Sequence, residues 1–476
     1  MLEPLADLER HAAEQADAVA VATPRRNYTF GQLEAAVRAV SARLDTAGVT
    51  SGHLVGVDLP AALEWIVDLA LMRLGACAVS LRGVAEPHAL GLHALITEPG
   101  RRSTPSPLVV EVDELWVDGA VARDPDAPAP ASWNDDAIVR VILTSGTTGG
   151  TPRAAAYSVG ALRYRTAEQH VHWTDGRPEL TLIGLSTTGG FHAAVACLRH
   201  GIAYLALDRI DAETMRFAAS QHIRVLCGSP TQVANALHAL VAANIGLPAL
   251  EEVRLAGATP GAGLLRLIAD TLGVPVRGVY GSTEGGGISQ HWYELDGDRH
   301  TVGVPLPGVE LEVVDQEWMP VPVGTEGLIR YRTPGLVSGY LVNGRLVPFV
   351  GGWFVPGDLG TLAPDGGLTL GGRESELLNI GGVKLDPTSI DDVALAFPGV
   401  EDAAAFGMEQ VTGLPGVALA VVARASCDLA ALDVELRARL PRAHPTALWR
   451  VSEIPRTRLG KVMRAKLSEE FERLKL

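Results

Sequence analysis

The chain has 476 residues, of which 47% are hydrophobic and 20% are charged, and its formal net charge at pH 7 is −15. This length is sufficient for two or more compact domains. The acidic balance excludes a typical nucleic-acid binder, because contacts with many phosphates require clustered Lys and Arg.

The first segment, MLEPLADLERHAAEQ, has a helical pattern and lacks the basic start and apolar stretch of a secretory leader. No later stretch reaches the ~18 uninterrupted apolar residues that a membrane span requires. The four cysteines have no zinc-binding spacing and are typical of buried small side chains in a reducing compartment; they are Cys77, Cys197, Cys227 and Cys427. We expect a cytoplasmic protein without a membrane span.

Short Val/Ile/Leu/Ala runs alternate with amphipathic patterns up to about residue 285, which predicts parallel sheets covered by helices. One unit consists of LVGVDL, AALEWIVDLALMRLGA and CAVSL, and a Pro- and Asp-rich connection follows at 124–136. From about 300 the short strands and frequent Gly and Pro predict a β-rich subdomain. After Arg373, mixed patterns predict a compact α+β module of ~100 residues.

A loop of small and hydroxylated residues follows the predicted strand AIVRVIL, in the stretch LTSGTTGGTPR. Such a loop can turn several N–H groups inward to bind an anion, and Arg153 adds a positive charge. The spacing is not that of the nucleotide-binding P-loop. A flexible surface turn is the alternative interpretation.

Three further segments contain candidate ligand-binding residues. VYGSTEGGG places Glu284 at a predicted strand end, where ligands of open α/β sheets bind, and a carboxylate there can hold Mg²⁺ against phosphates. GWFVPGDLG contains Asp358, whose carboxylate can accept both hydroxyls of a ribose. PRTRLGK contains Lys461 near the end of the chain. Taken alone, Glu284 and Lys461 are each more typical of a solvated surface side chain.

These motifs, together with GRESELLNIGG and in this order from 143 to 461, resemble the adenylate-forming superfamily of acyl-CoA synthetases, peptide-synthetase adenylation domains and luciferases. The resemblance implies an α/β fold with a large N-terminal domain of two α/β sheets plus a β-barrel subdomain, at 1–373. It also implies a small mobile α+β C-terminal domain at 374–476, with Glu376 at the hinge between them.

The resemblance also implies a role for each matching residue. Lys461, Glu284 and His192 are the expected catalytic residues, Glu284 is the expected magnesium ligand, and His192 is expected to line the acyl pocket. The residues expected to hold ATP are Thr144, Ser145, Gly146, Thr147, Thr148, Gly149 and Arg153 at the β- and γ-phosphates, Thr283 near the phosphates, Gly257, Ala258, Tyr280 and Gly281 at the adenine, and Asp358 and Arg373 at the ribose.

The expected reaction is ATP-dependent activation of an aryl or short to medium acyl acid as an acyl adenylate, followed by transfer to coenzyme A. The alternatives are transfer to a carrier protein or an amine, activation of an unusual acid such as nitrite in specialised metabolism, and an inactive nucleotide-binding relative. His192 occupies the position where α-amino-acid adenylation domains have Asp, which argues against an ordinary amino acid substrate. The sequence leaves the oligomeric state open, with a homodimer among the alternatives.

The chain departs from the family pattern at several positions. The phosphate loop has one additional residue and ends in Arg153 instead of Lys, and Pro356 stands where the family has Thr. Asn379 stands where Lys is common, and the region between CAVSL and 124–136 is shorter than usual. None of these departures removes Glu284, Asp358 or Lys461.

Overall fold

The computed structural model describes residues 2–82, 90–101, 108–117, 127–144, 153–166, 175–380, 383–410, 415–441, 444–457 and 462–475. The helices are α1 (Glu3–Glu14), α2 (Phe30–Thr46), α3 (Ala61–Leu74), α4 (Val159–Thr166), α5 (Thr188–His200), α6 (Ala212–Ser220), α7 (Pro230–Ala242), α8 (Ala262–Leu272), α9 (Thr388–Leu395), α10 (Leu429–Arg439) and α11 (Arg464–Lys475). Within these described ranges, no helix has the length and apolar character to cross a bilayer.

The strands are β1 (Val19–Ala22), β2 (Asn27–Thr29), β3 (Leu54–Asp58), β4 (Cys77–Ser80), β5 (Ala94–Thr97), β6 (Val109–Glu111), β7 (Ile138–Thr144), β8 (Arg153–Ser158), β9 (Glu179–Thr181), β10 (Tyr204–Leu205), β11 (Val225–Gly228), β12 (Glu252–Ala256), β13 (Val276–Ser282), β14 (Gly286–Tyr293), β15 (Thr301–Pro305), β16 (Glu310–Val314), β17 (Gly327–Arg332), β18 (Gly339–Val342), β19 (Arg345–Val347), β20 (Asp358–Leu362), β21 (Leu368–Arg373), β22 (Leu378–Ile380), β23 (Val383–Leu385), β24 (Val400–Glu409), β25 (Pro415–Ala423) and β26 (Ala447–Arg450).

An eight-stranded sheet has the order β19-β18-β8-β7-β4-β3-β5-β6, and its β7-β4-β3-β5-β6 part is parallel. The predicted unit of strand, helix and strand is confirmed as β3, α3 and β4, and all four residues of β4 are buried. Helix α3 ends at Gly75, whose φ of 79° is left-handed and therefore favours glycine. Helices α1, α2, α3 and α5 contribute to the large core that includes this sheet.

Helix α3 carries two acidic residues on its buried side, Glu64 and Asp68, one turn apart. Both contact the guanidinium of Arg140 on β7, and all three side chains are excluded from solvent. Burial and the neighbouring Asp68 together raise the pKa of Glu64 to about 7, although Arg140 opposes the shift. The cluster joins a helix to the sheet through buried charges, so its stability depends on Arg140.

A ten-stranded sheet has the order β16-β17-β20-β21-β15-β14-β13-β12-β11-β9. Strands β9, β11, β12 and β13 are parallel and share a core with α7 and α8. The predicted run LTLIGLS forms only the short strand β9, because the chain then turns at 182–187 and Thr187 caps α5. The run IAYLAL gives β10, which pairs in parallel with β1 in a small sheet of order β10-β1-β2.

The β-rich segment predicted from about residue 300 is confirmed as strands. Strands β15, β16, β17, β20 and β21 continue the ten-stranded sheet, whereas β18 pairs with β8 of the eight-stranded sheet and β19 pairs with β18 at its edge. The chain therefore passes between the two large sheets in this region, and residues of both sheets meet there.

The C-terminal segment contains an α+β module, as predicted. Strands β24, β25 and β26 form a sheet, with α9 and α10 packed in one apolar cluster and α11 in another. Arg464 at the start of α11 contacts Asp391 at 2.6 Å and Glu376 at 3.4 Å. The domain boundary at 373/374 stays a prediction.

A polar contact links this module to the rest of the chain. Asp392 on α9 lies 2.7 Å from Nε2 of His300 and 3.2 Å from Arg299. The hydrogen bond with Asp392 raises the pKa of His300, against the opposing effects of burial and Arg299. The protonated imidazole therefore favours the contact.

We expect the stability contributed by this contact to fall as the pH rises. The folded protein holds the His300 proton more tightly than the unfolded chain, so the contribution is complete below the unfolded pKa of about 6.5 and is lost as the pH passes the raised pKa. The difference in thermal unfolding midpoint between wild type and His300→Gln should shrink across that window. The exposed His238 provides the control variant His238→Gln, and a difference for His300→Gln that does not change with pH would contradict the expectation.

Candidate active site

The first part of the site is the end of the hairpin β7–β8. Thr144 and Arg153 are cross-strand partners at the open end of this hairpin. The predicted phosphate-loop residues between them, Ser145, Gly146, Thr147, Thr148 and Gly149, lie outside the described residues, as does Lys461. The described strands nevertheless fix where the loop leaves and re-enters the sheet.

The second part is the tight turn between β13 and β14. Oγ of Ser282 accepts hydrogen bonds from the backbone N–H groups of Glu284 (3.0 Å) and Gly285 (3.1 Å). A Cβ at Gly281 would lie 1.9 Å from the carbonyl oxygen of Gly286, so this close approach requires glycine. The carbonyl of Thr283 accepts a hydrogen bond from Thr188 on α5. The turn forms here because the Ser282 hydroxyl accepts hydrogen bonds from backbone N–H groups and because glycine allows the two strands to approach closely.

This turn holds the Glu284 carboxylate at the junction of the two sheets. The hydroxyl of Tyr340 on β18 donates to Oε1 of buried Glu284 at 2.6 Å. Burial and the neighbouring Glu284 raise the pKa of Tyr340, so the hydroxyl keeps its proton and remains a donor. The guanidinium of Arg153 lies 5.6 Å from the centre of the Tyr340 ring. The end of the predicted phosphate loop and the predicted metal ligand are therefore neighbours, with Tyr340 between them.

A second hydrogen-bonded group lies at the same end of β13. The hydroxyl of Tyr280 donates to Oδ2 of Asp358 at 2.8 Å, and Nε of Arg373 lies 2.8 Å from Oδ1. Asp358 and Arg373 are cross-strand partners on β20 and β21. Burial and Asp358 raise the pKa of Tyr280 well above its usual value, which keeps this hydroxyl protonated. The structure thus brings together three residues that are spread over 93 positions of the sequence, from Tyr280 to Arg373.

Gly257 and Ala258 follow β12, the parallel neighbour of β13. Both are exposed, and Gly257 has a left-handed φ of 89°, which favours glycine at this turn. The turn lies at the same carboxyl edge of the sheet as Tyr280. The register pairs Ala256 with Val279, so this turn begins beside Tyr280.

His192 lies in α5 and lines a cleft beside this edge, together with Arg165, Val279, Gln290 and Leu306. It is buried, and burial, assisted by the charge of Arg165, lowers its pKa well below 6.5, so the imidazole is neutral. Its Nε2 is hydrogen-bonded to the hydroxyl of Tyr157, and the tautomer of the imidazole sets which of the two groups donates. His192 is therefore a fixed neutral wall of the cleft.

The structure adds three site residues that the sequence analysis missed, namely Tyr157, Arg165 and Tyr340. Tyr340 lies in the plain strand pattern SGYLVNG, and Arg165 shares its helix with another arginine, so neither position carries a motif signal. Only the pairing of β8 with β18 and the packing of α4 against the 282–285 turn reveal them.

Comparisons with known proteins are consistent with this arrangement. Residues 8–341 match the family model described as AMP-binding enzyme. Naringenin synthase of Pestalotiopsis fici is 29% identical over 96% of this chain, which spans 18% of the length of that protein. The fatty acid–[acyl-carrier-protein] ligase MmaC of Mycobacterium marinum is 29% identical over 85% of both chains. The 2-succinylbenzoate–CoA ligase of Geobacillus kaustophilus is 27% identical over 97% of this chain and 96% of that one.

The fold has close counterparts among solved structures. ATP-bound MatB from Rhodopseudomonas palustris superposes with a TM-score of 0.85 at 22% identity over the whole of both chains. The predicted α/β architecture with a small C-terminal α+β domain is thereby confirmed. Because the family model covers well over half of the residues, the chain belongs to the AMP-binding family of adenylate-forming enzymes, which activate carboxylic acids.

Proposed function

We propose that this enzyme uses ATP to convert a carboxylic acid into an acyl adenylate, releases pyrophosphate, and passes the acyl group to the thiol of coenzyme A. The observation that carries the proposal is the pair of hydrogen-bonded groups at one end of β13. Tyr280 leads to Asp358 and Arg373, and Glu284, four residues later, leads to Tyr340 and Arg153. ATP would need two such neighbouring groups, one for its nucleoside and one for its phosphates.

Asp358 is the proposed ribose ligand. Its two carboxylate oxygens each have one protein donor, from Tyr280 and from Arg373, and each retains capacity for another hydrogen bond. The two donors fix the orientation of the carboxylate, so two ribose hydroxyls can donate to it without further reorganisation. Gly257 and Ala258 would border the adenine.

Glu284 is the proposed magnesium ligand. Mg²⁺ is usually held by one or two carboxylates together with phosphate oxygens and water. The described residues fit that mode, since Glu284 is a buried carboxylate that Tyr340 orients through one of its oxygens. The bound ion would neutralise charge on the phosphates. The chain's own contribution is to hold the carboxylate buried and oriented near Arg153, at the open end of the hairpin β7–β8.

Lys461 is the proposed catalytic cation, carried by the C-terminal module. The reaction brings a carboxylate to the α-phosphorus, so two anions must meet. A preorganised positive donor is typically worth ~3–4 kcal/mol at such a step. The phosphate-loop residues 144–153 and Thr283 would serve the departing pyrophosphate, and 374–476 would act as the lid that presents Lys461.

The acceptor is the least constrained part of the proposal. Relatives include a CoA ligase at nearly full coverage and an acyl-carrier-protein ligase at 85% coverage. We propose CoA first, because the relative covered almost completely by this chain is named for CoA. A carrier-protein thiol is the second candidate; an amine acceptor, nitrite activation and an inactive nucleotide binder are the remaining ones.

We expect purified protein to catalyse acid-dependent exchange of labelled pyrophosphate into ATP, with Mg²⁺ required. The measurement uses a panel of aryl and short to medium acyl acids, each with and without CoA. Acyl-CoA formation would support the full proposal, whereas exchange without CoA consumption would support a different acceptor. Absence of exchange with every acid would contradict adenylate formation by this chain.

A further inference from the structure

Arg165, in the last turn of α4, is a buried cation that lines the cleft beside His192. Its Nε donates to the carbonyl of Gly335 at 2.6 Å, and its terminal nitrogens donate to the carbonyls of Thr283 (3.4 Å) and Glu284. The guanidinium carbon lies 4.9 Å from the centre of the Tyr157 ring. The side chain is thus held in place from several directions.

All of these partners are neutral. Burial lowers the pKa of Arg165, and the more distant Glu284 carboxylate, itself hydrogen-bonded to Tyr340, only partly opposes that effect. A guanidinium has five N–H groups, which outnumber the three carbonyls and the Tyr157 hydroxyl around it. At least one N–H group therefore remains for a ligand, as far as the described residues show.

Other arginines buried in the described part of the chain are arranged differently. Each of them contacts at least one carboxylate, as expected because an unpaired buried charge is costly. The contacts are Arg73 with Glu9, Arg140 with Glu64 and Asp68, and Arg254 with Glu179 and Glu252. Arg165 differs from them because it contacts no carboxylate within the described ranges and because it lines a cleft.

Among the described residues, those that line the cleft contribute no anion to complete this charge. Its wall is formed by neutral groups, including Gln290, Val279, Leu306 and the uncharged His192. Gly286 has a left-handed φ of 75°, and a Cβ there would lie 3.1 Å from Nε of Arg165, so the 285–287 backbone passes directly against the guanidinium. A ligand in the cleft would meet one fixed positive charge among apolar and neutral polar groups.

We propose that Arg165 is a specificity-determining residue that binds a second anionic group of the substrate, so that the preferred acid is a dicarboxylic acid or an acid with an equivalent distal anion. The inference rests on the proposed adenylation. The carboxylate that reacts would meet ATP and Lys461, and the distal carboxylate would pair with Arg165. This pairing would supply a counterion that none of the described residues provides by direct contact.

Matched acids test the inference through pyrophosphate exchange. We would compare 4-methylbenzoate with terephthalate, 3-methylbenzoate with isophthalate, and hexanoate with adipate, because each pair replaces a methyl group by a carboxylate. In the pair with the highest kcat/KM, we expect wild type to favour the diacid by at least about tenfold. Arg165→Met should lower kcat/KM for that diacid by at least about tenfold more than for its matched monoacid, while Arg165→Lys should retain part of the preference.

The outcomes separate this inference from the proposed function. A preference of wild type for the monoacid in every pair would overturn the inference and leave adenylation intact. Equal losses for both acids in a folded Arg165→Met would show that Arg165 supports only the 283–284 backbone, and would also overturn it. No exchange with any acid would overturn the proposed function, and the inference with it. The wild-type comparison decides the matter even where the Met variant does not fold.

Discussion

Glu284→Gln is expected to lower kcat for acid-dependent pyrophosphate exchange by roughly 100- to 1,000-fold, which corresponds to ~3–4 kcal/mol of lost electrostatic stabilisation. The substitution keeps the size of the side chain and its hydrogen bond from Tyr340 but removes the negative charge proposed to hold magnesium. The defect should ease with rising Mg²⁺ concentration, because a weakened metal site is filled by mass action.

Two variants provide the controls for this result. Glu310→Gln removes an exposed carboxylate that pairs with Arg332 on the neighbouring strand, and it should leave exchange unchanged. Tyr340→Phe removes only the donor to Glu284, a net loss of about 0.5–1.5 kcal/mol, and should slow exchange by roughly two- to tenfold. Exchange by Glu284→Gln at the wild-type rate and Mg²⁺ dependence would refute the role of this carboxylate.

Arg140→Met is expected to destabilise the protein by about 3–5 kcal/mol, the usual cost of removing one partner from a buried ion pair. Glu64 and Asp68 would remain buried without their cation, and both would have to be protonated in the folded state. Because the unfolded chain releases those protons near pH 4, the loss should grow as the pH rises from about 5 to 8. Urea unfolding followed by tryptophan fluorescence measures the effect.

The matched control is Arg437→Met, which breaks an exposed pair with Asp433 one turn away and should change the midpoint little. Adding Glu64→Gln and Asp68→Asn to Arg140→Met should recover part of the loss and abolish its pH dependence, since no ionisable group then remains in the cluster. An Arg140→Met midpoint equal to that of Arg437→Met would show that the cluster does not stabilise the fold.

The sequence predicted much of the architecture, because buried strands and helices leave clear apolar patterns. The unit β3, α3 and β4 is an example, as is the change to short strands near residue 300. The motifs also indicated Tyr280, Asp358 and Arg373, which the structure then joins by hydrogen bonds. Local residue types were sufficient to predict these site residues, because the expected function requires particular side chains at the ends of strands.

Pairing between distant strands could not be predicted in the same way. Tyr340 reaches Glu284 only because β18 leaves the segment around it and pairs with β8. Arg165 reaches the cleft because α4 follows β8 and packs against the turn at 283–284. Both depend on contacts between residues more than fifty positions apart, which no local period encodes.

The hydrogen bond from Tyr340 to Glu284 affects how the enzyme tolerates substitutions in its core. Tyr340 lies on the eight-stranded sheet and Glu284 follows a strand of the ten-stranded sheet. The orientation of the carboxylate therefore depends on the distance between the two sheets. A substitution that slightly changes the size of a side chain buried between the sheets would alter this distance without unfolding the protein. Nucleotide affinity would then decline in protein that still looks intact by its circular dichroism.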